Sequence, residues 1–445
     1  MKVLNDLKQL SALCSILLAA AVMASDANLS SDTGDQEAAL LFDARHNSEQ
    51  NRSRSLEDYL SELKRKQFGY QYEKTDQESS KLRDSWIKPI MLSYSISRQN
   101  PYNEQGRGAV EAQNAAIAID QPIFQSGGII YGVKFANASR EFSNYSIDQQ
   151  KRILIKQAVE LLMQIKQSGL SIKKQQLQIA NSEINLEQKR EQYLNGQLDS
   201  GFLNNAIIEK NVATQALYDL QTRNAQLISQ FEKISDMDPK EAKIPFLVLL
   251  DEESFLKHNI DIKLAESESE RNRYNKNVTF VKYLPSINLQ ASYNWQRQQS
   301  NFVLPATGAT TITSPDTTYY RYGLSASMPL DINAYNDYEA AKAEYLRSRV
   351  VIDDKKRELK LLYDQVMQNL VKYDKKIALA QENQSLYATL LEDTKGLFRA
   401  GYKTQYDVDT LSNSVQIEEI NKKVYEIDKQ LELLTLYEKM SNDVQ

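Results

Sequence analysis

The chain has 445 residues, enough for two or three ordinary domains, yet its 14 glycines and 9 prolines are too few to delimit that many compact folds. Long uninterrupted elements are therefore favoured. The 54 basic and 59 acidic side chains nearly balance, which gives no indication of a nucleic-acid partner. A mean hydropathy of −0.55 is ordinary for a soluble protein, so a membrane-embedded part has to be sought in local patterns.

The first 24 residues predict a cleavable secretory signal. Lys2 and Lys8 precede an apolar run over 10–23, and small residues end it at Ala24. Cys14, the only cysteine, lies inside the run, and the residues before it do not form a lipoprotein cleavage box. We therefore expect a mature chain with no thiol, no disulfide and no lipid on cysteine.

After the signal, no run approaches the roughly 18 apolar residues that a membrane-spanning helix needs. Export without a helical anchor leaves three possibilities in a cell with two membranes: a free periplasmic protein, a secreted protein or an outer-membrane β-barrel. Residues 25–88 are assigned to N-terminal periplasmic helices.

A first pair of β-strands is predicted over residues 89–124, because apolar and small polar residues alternate there. The apolar positions are Ile90, Leu92, Tyr94 and Ile96, then Ala115, Ile117 and Ile119; the other face has Ser93, Ser95 and Ser97, then Asn114, Ala116, Ala118 and Asp120. A polar loop is expected over 99–112. Segments of about ten residues with this alternation suit a tilted strand between lipid and a wet lumen, although half-buried soluble strands look similar.

A helical hairpin follows over residues 125–235. Its first helix, from about 127 to 194, has two series of heptad positions; one series is apolar throughout and the other is mostly polar. The apolar column comprises Leu154, Ala158, Leu161, Ile165, Ile172, Ile179, Leu186 and Tyr193, and Ser168, Gln175, Ser182 and Lys189 stand between its later members. Nearly 70 helical residues would be on the order of 100 Å long. Gly196 marks the turn, and a return helix is expected over about 203–235.

A connector, 236–284, leads into a second copy of the same pattern. The strand pair 285–331 has Ile287, Leu289, Ala291, Tyr293 and Trp295 on one face, joined by Tyr320, Tyr322, Leu324, Ala326 and Met328, with a polar loop expected over 299–317. The helical hairpin 332–445 turns at Gly401, 205 positions after Gly196. Self-similarity at one offset predicts two tandem repeats.

The second hairpin carries the clearer heptads. Spacings of three and four alternate without a slip through Leu359, Tyr363, Val366, Leu370, Tyr373, Ile377, Ala380, Gln384, Tyr387, Leu391, Thr394 and Phe398. A strict period of 3.5 specifies supercoiled, packed helices rather than one amphipathic helix on a globule. An extended periplasmic adaptor or a fibrous adhesin would show the same heptads, so the strands have to distinguish between them.

Prolines 89, 122, 285 and 329 flank the two strand pairs, where each strand should give way to helix. Four strands cannot close a barrel, and an open edge cannot face lipid because its amides and carbonyls would lack partners. The sequence therefore predicts oligomerisation. Two copies would supply eight strands with a filled interior, and three copies would supply twelve strands around an aqueous bore.

The order of these elements resembles the TolC-like outer-membrane efflux protein family over essentially the whole mature chain. The resemblance rests on the strand-to-helix phrase 121–128, the turns 195–198 and 400–408, and the lead-in 258–286. It implies a mainly α fold with a membrane β-barrel portion, in which a trimer forms a 12-strand barrel on an α-helical tunnel. It also implies a location in the outer membrane of a Gram-negative bacterium, with a large periplasmic portion. Within that portion, the N-terminal helices of 25–88 and the connector 236–284 would supply an equatorial region around the middle of the tunnel. The implied partners are a periplasmic adaptor and an inner-membrane RND or ABC pump, in tripartite efflux or type I secretion.

The resemblance further implies a closable tunnel entrance at the hairpin tips. Asp407 falls where the family often has an aspartate ring, which would favour cations. Lys403 and Phe398 stand at positions of latch residues, and Asp409 and Asp199 lie nearby. Thr410 and Phe202 depart from the family pattern, which puts its latch network in doubt.

A junction between barrel and tunnel is expected where each strand pair meets its helices. We assign it to Gly127 and Gly128 together with the four flanking prolines, Pro89, Pro122, Pro285 and Pro329. No phosphate-binding lysine follows the glycine pair, which argues against a nucleotide loop.

No catalytic, cofactor or metal site is predicted. The only histidines, His46 and His258, lie far apart without ligand spacing. A passive conduit is therefore the leading hypothesis, and a periplasmic coiled-coil adaptor or scaffold is the alternative. A secreted enzyme has no supporting constellation of residues.

Overall fold

The fold was examined in a computed structural model, which describes residues 56–99, 107–303 and 310–441. The predicted signal peptide, Cys14 and His46 lie outside the described residues. Chain contacts separate a unit ending at Asp58 from a unit beginning at Tyr59, and the elements described below belong to the second unit apart from a 3-10 turn at Leu56–Tyr59.

Seven helices and five strands make up the described part of the second unit. The helices are α1 (Glu62–Arg83), α2 (Gly128–Leu194), α3 (Ser200–Glu232), α4 (Glu252–Lys257), α5 (Ile260–Val281), α6 (Ala334–Arg399) and α7 (Gln405–Glu438). The strands are β1 (Met91–Gln99), β2 (Arg107–Phe124), β3 (Ser286–Val303), β4 (Thr310–Thr313) and β5 (Asp316–Ser327). None of the helices in the described ranges is long and apolar enough to cross a membrane.

The tandem repeat is confirmed by the helix bounds. The long helices α2 and α6 end at Leu194 and Arg399, and the return helices α3 and α7 begin at Ser200 and Gln405. Both pairs of positions are 205 residues apart, as the turns Gly196 and Gly401 predict. Helix α2 has 67 residues, which corresponds to about 100 Å.

The strands form one antiparallel sheet in the order β1-β2-β3-β5, and β4 pairs with the far end of β3. Its register puts the predicted apolar residues of all four strands on one face. Leu92 pairs with Ile117, Ile117 with Tyr293, and Tyr293 with Tyr320. The opposite face collects the small polar residues, so the alternation seen in the sequence is confirmed.

Two details of the strands differ from the sequence prediction. The segments 99–112 and 299–317 were expected to be loops, yet β2 begins at Arg107, β3 continues to Val303, and β4 and β5 occupy much of the second segment. The backbone pairs in these segments although their sequence lacks a regular alternation of apolar and polar residues, which is the pattern that predicts a strand. Pro122 lies inside β2, where a register shift between Pro122 and Phe124 accommodates a residue with no amide donor.

The helices form four columns. Two columns are the single long helices α2 and α6, and the other two each consist of two helices joined end to end. The start of α1 meets the end of α3, where the Ser61 amide donates to the Ile234 carbonyl at 2.8 Å; likewise the Ile260 amide of α5 donates to the Lys439 carbonyl after α7 at 2.8 Å. The contacts between helices place the four columns side by side in the order α1/α3, α2, α5/α7, α6. This order matches β1, β2, β3, β5, so each strand connects along the chain with the column of the same rank.

The core is the seam between columns rather than a central globule. Along α6 the predicted heptad positions are buried or half-buried, except for Phe398 at the tip. Along α2 the predicted column is half-buried at Leu154, buried from Ala158 to Ile165, and half-buried or exposed from Ile172 onward. Long parallel seams therefore replace a compact core, and each column needs a neighbour on both sides to be covered.

Candidate tunnel entrance and barrel junction

The first hairpin tip, between α2 and α3, is an ordinary capped turn. Gly196 has φ +70°, a left-handed conformation that glycine adopts without steric cost. Asp199 is the N-cap of α3, and its carboxylate accepts a hydrogen bond from the Gly201 amide at 2.6 Å. The predicted site residue Asp199 therefore serves the helix start at this tip.

The second tip, between α6 and α7, contains a complete capping box. Gly401 turns the chain at φ +80°, and Thr404 is the N-cap of α7. The Thr404 hydroxyl accepts from the Asp407 amide at 3.3 Å, while the Asp407 carboxylate accepts from the Thr404 amide at 2.9 Å. Reciprocal bonds of this kind satisfy donors that the first turn of a helix leaves unpaired.

Asp407 is also held electrostatically. Its pKa is lowered chiefly by the hydrogen bond from the Thr404 backbone, with help from the Thr404 hydroxyl and the Lys403 ammonium, whose Nζ lies 3.8 Å from Oδ1; desolvation opposes them. Because the folded pKa is depressed, the cap stabilises the tip at and above the ordinary carboxyl range. That stability is lost as pH falls through the lowered pKa.

The remaining tip candidates do not gather around Asp407. Asp409 accepts from the Gln405 amide side chain at 2.7 Å, one turn along α7. Phe398 is 40% exposed at the end of α6 and has no ring partner within the described residues. A latch joining Phe398 or Lys403 to the first hairpin is therefore absent from the described contacts, whereas Lys403 does pair within its own tip.

A different contact joins the two tips. The Tyr406 hydroxyl of α7 donates to the Glu191 carboxylate of α2 at 3.2 Å. Burial and this carboxylate raise the pKa of Tyr406, which keeps the phenol protonated as a donor. Sequence reasoning missed this bond because nothing local relates two residues 215 positions apart.

Further polar bonds continue up the same seam between α2 and α7. Asn413 donates to Asn181 at 2.8 Å, Lys174 to Asn421 at 2.9 Å, and Gln167 to Asp428 at 2.7 Å, and Lys156 pairs with Glu438 at 2.9 Å. The three α2 members of the hydrogen-bonded pairs are seven residues apart. Heptad spacing thus places polar pairs at regular levels, which fixes the register of one hairpin against the other.

The barrel junction links the two repeats. Gly127 is the N-cap of α2 with φ +90°, and the preceding Ser126 has φ +49° and donates its hydroxyl to the Pro285 carbonyl at 2.6 Å. Gly128 leaves little room, since an added Cβ would lie 3.2 Å from Gln125 Cβ. The sharp turn from β2 into α2 therefore depends on both glycines.

The other junction prolines lie just outside the strands. Pro89 precedes β1, Pro285 immediately precedes β3, and Pro329 follows β5. Beside Pro285, the Tyr283 hydroxyl donates to the Asp337 carboxylate of α6, which raises the pKa of Tyr283 to about 12. In the described ranges, no group of three or more His, Cys, Asp or Glu side chains is arranged to hold a metal ion.

We predict that Tyr406→Phe loosens the two tips, because it removes the lowest bond between them while preserving the ring. The measurement is the distance distribution between spin labels at Gln197→Cys and Tyr402→Cys, which should broaden. Tyr193→Phe is the matched control, since Tyr193 lies near the end of α2 and its hydroxyl makes no hydrogen bond with any described residue. If the distance distributions of Tyr406→Phe and Tyr193→Phe had the same width, the Tyr406 bond would not be what holds the two tips together.

Comparison with known proteins bears on this architecture. Residues 253–438 match the family model described as outer membrane efflux protein. The matched range covers the second repeat with its lead-in, and the first repeat has the same elements at the same offset. No curated protein sequence matches the chain.

Solved outer-membrane channels have a similar fold. The outer membrane protein VceC of Vibrio cholerae aligns with TM-score 0.64 at 12% identity, covering 84% of this chain and 92% of its own. The CmeC outer membrane channel of Campylobacter jejuni aligns with TM-score 0.62 at 13% identity, covering 88% and 86%. The open state of the MtrE outer membrane channel of Neisseria gonorrhoeae aligns with TM-score 0.57 at 13% identity, covering 84% and 85%.

The family match and the fold confirm both the resemblance and the outer-membrane location predicted from the sequence. Residues 253–438 are an outer membrane efflux protein domain, and the chain has the fold of the TolC-like outer-membrane channels.

Proposed function

We propose that this chain is one of three identical subunits of a passive duct. The duct carries solutes from an inner-membrane pump and the periplasm to the cell exterior, in tripartite efflux or type I secretion. A periplasmic adaptor and an RND or ABC pump are its proposed partners, and no step of its action involves bond-breaking chemistry.

The observation that carries the proposal is that both layers of the subunit end in uncovered edges. The sheet ends at β1 and β5, and the row of columns ends at α1/α3 and α6. Because strands and columns have the same order, one rotation between copies would cover both kinds of edge at once. A ring of three would then contain twelve strands and twelve helical columns.

The two faces of the sheet support this arrangement. Apolar side chains on one face are exposed in the single subunit, with Tyr322 at 76% and Leu324 at 67%. A hollow of about 660 Å³ is lined by much of the polar face, including Asn288, Gln290 and Ser292. A closed barrel would direct the first face to lipid and the second to a water-filled bore.

Helix α6 has a second apolar stripe that its own subunit leaves exposed. The stripe consists of Leu379, Leu386, Leu390 and Leu397, at spacings of seven, four and seven. Its heptad spacing is that of a coiled-coil seam, and it lies on a different side of the helix from the buried series. On the opposite edge, α3 exposes Phe202, Ile208 and Val212, so apolar surface is available on both sides of the proposed contact.

The adaptor alternative is less well supported. A periplasmic scaffold has no need for a sheet with one exposed apolar face and one polar face. Two hairpins on two strand pairs also suit a ring better than a single arm.

We predict that Leu386→Glu prevents assembly, because Leu386 is 58% exposed in one subunit and would be buried as a charge in the ring. The measurement is the detergent-resistant trimer band on unheated gels, together with conductance in planar bilayers. Ser385→Glu is the control, since it adds the same charge at an exposed neighbouring position off the stripe. Equal assembly of both variants would overturn the proposed seam.

Asp407 is proposed as a negative ring at the entrance in addition to its capping role, and two substitutions separate these roles. Asp407→Asn keeps an acceptor for the Thr404 amide and removes the charge, while Asp407→Ala removes both. Block of the conductance by a trivalent cation should weaken in both variants. Amide exchange in the first turn of α7 should rise mainly in Asp407→Ala, since a lost cap costs about 0.5–2 kcal/mol. Full cation block in Asp407→Asn would leave Asp407 with the capping role alone.

A further inference from the structure

Among the described residues that line its hollow, the polar face of the sheet carries few charges. Its hollow is lined mainly by small or neutral side chains, including Ala118, Asn288, Gln290, Ser292 and Gly323. Only three charged residues line it: Lys88, Asp120 and Arg321. Against this neutral background, each charge has an effect that it would not have on an ordinary protein surface.

Of the three charged residues, only Arg321 lies on an edge strand, β5, where it is paired in register with Ser292, which in turn pairs with Ala118. Asp120 lies in the next row, paired with Gln290, which pairs with Gly323. Two strand spacings therefore separate Arg321 from Asp120, and Arg321 makes no hydrogen bond or ion pair with any described residue.

On the apolar face, Arg297 has a partner, although Arg98 on the same face has no hydrogen bond or ion pair with a described residue. Arg297 donates from Nε and Nη2 to the two carboxylate oxygens of Asp316, at 2.6 and 2.8 Å. The guanidinium also lies over the Trp295 ring, 5.5 Å from its centroid. The Arg297 guanidinium is thus neutralised by a bidentate partner, whereas Arg321 on the polar face keeps its donors free.

We propose that Arg321 is the selectivity residue of the barrel bore and favours solutes with carboxylate or phosphate groups. The proposal rests on the duct proposed above, in which three copies of Arg321 form one ring. The planar guanidinium can donate two parallel hydrogen bonds to such groups. Lys88 and Asp120 have opposite charges, so the described residues that line the hollow contribute one net positive charge per subunit.

The size of the bore limits how strong this selectivity is. Twelve strands about 4.8 Å apart and tilted about 40° give a backbone radius of about 12 Å. The Debye length is about 10 Å at 0.1 M salt and about 3 Å at 1 M. The ring therefore biases conduction when salt is dilute and loses its reach when salt is concentrated, rather than acting as a tight filter.

The test is the reversal potential of the assembled protein in planar bilayers under a tenfold KCl gradient, averaging below 0.1 M. Arg321→Ser should lower the anion-to-cation permeability ratio on the order of twofold or more, and the difference should vanish near 1 M. Arg321→Lys, the matched control, keeps the charge and should keep most of the ratio. Asp120→Asn should shift the ratio in the opposite direction.

If Arg321→Ser fails to assemble, a second measurement tests the same proposal. Arg321→Cys in a Cys14→Ser background is modified in the bilayer with either an anionic or a cationic thiol reagent. The two products should differ in permeability ratio, with the cationic one closer to the unmodified wild type. Normal conductance with an unchanged ratio in all Arg321 variants would overturn the bore assignment alone, whereas a wild type without conductance would overturn the duct and the bore assignment together.

Discussion

An open sheet edge carries a row of amide and carbonyl groups, and in hydrocarbon those groups have no water to bind. The four-stranded sheet of this chain has two such edges, at β1 and β5, and one apolar face that is exposed in the isolated subunit. Edges of this kind are satisfied only by closure, and closure requires further copies because four strands cannot bend into a barrel. The duplicated sequence, the order of the columns and the exposed stripe on α6 are all consistent with this requirement.

The helical layer follows from the same constraint. Each strand connects with one helical column, so a closed ring of strands imposes a closed ring of columns beneath it. The end-to-end joints at Ser61 and Ile260 let a short upper helix and a long return helix act as one column. Polar pairs at heptad levels between α2 and α7 then fix the register within a subunit, while apolar stripes on the outer columns are left for contact between subunits.

Much of this fold could be predicted from the sequence, because its signals are periodic. Alternation over 287–295 and heptads from Leu359 onward depend only on which face is buried, and a period can be read in one dimension. The ends of the strands beyond the apolar band could not be predicted, since residues such as those of β4 pair through the backbone and show no alternation. The column joints were also missed, because they bring together chain segments with no shared local pattern.

The entrance was predicted less well than the fold. Asp407 was singled out through resemblance, yet its clearest structural role is the capping box with Thr404, whose spacing of three was visible in the sequence. The Tyr406 bond to Glu191 joins two hairpins and leaves no trace in either segment. The position of Arg321 relative to Asp120 could not be predicted, because only the strand register places these two residues two strands apart.

The most direct test of the account is a disulfide between the edge strands of different copies. In a Cys14→Ser background, Ser93→Cys on β1 is combined in turn with a cysteine at each bore-facing position of β5, from Tyr319 to Ser327. Within one subunit β1 and β5 are about 14 Å apart, too far for a disulfide, so any bond formed joins two copies. The account predicts that at least one pair gives a covalent ladder on non-reducing gels that ends at three subunits. A ladder that ends at two, or no crosslink at any position, would contradict it.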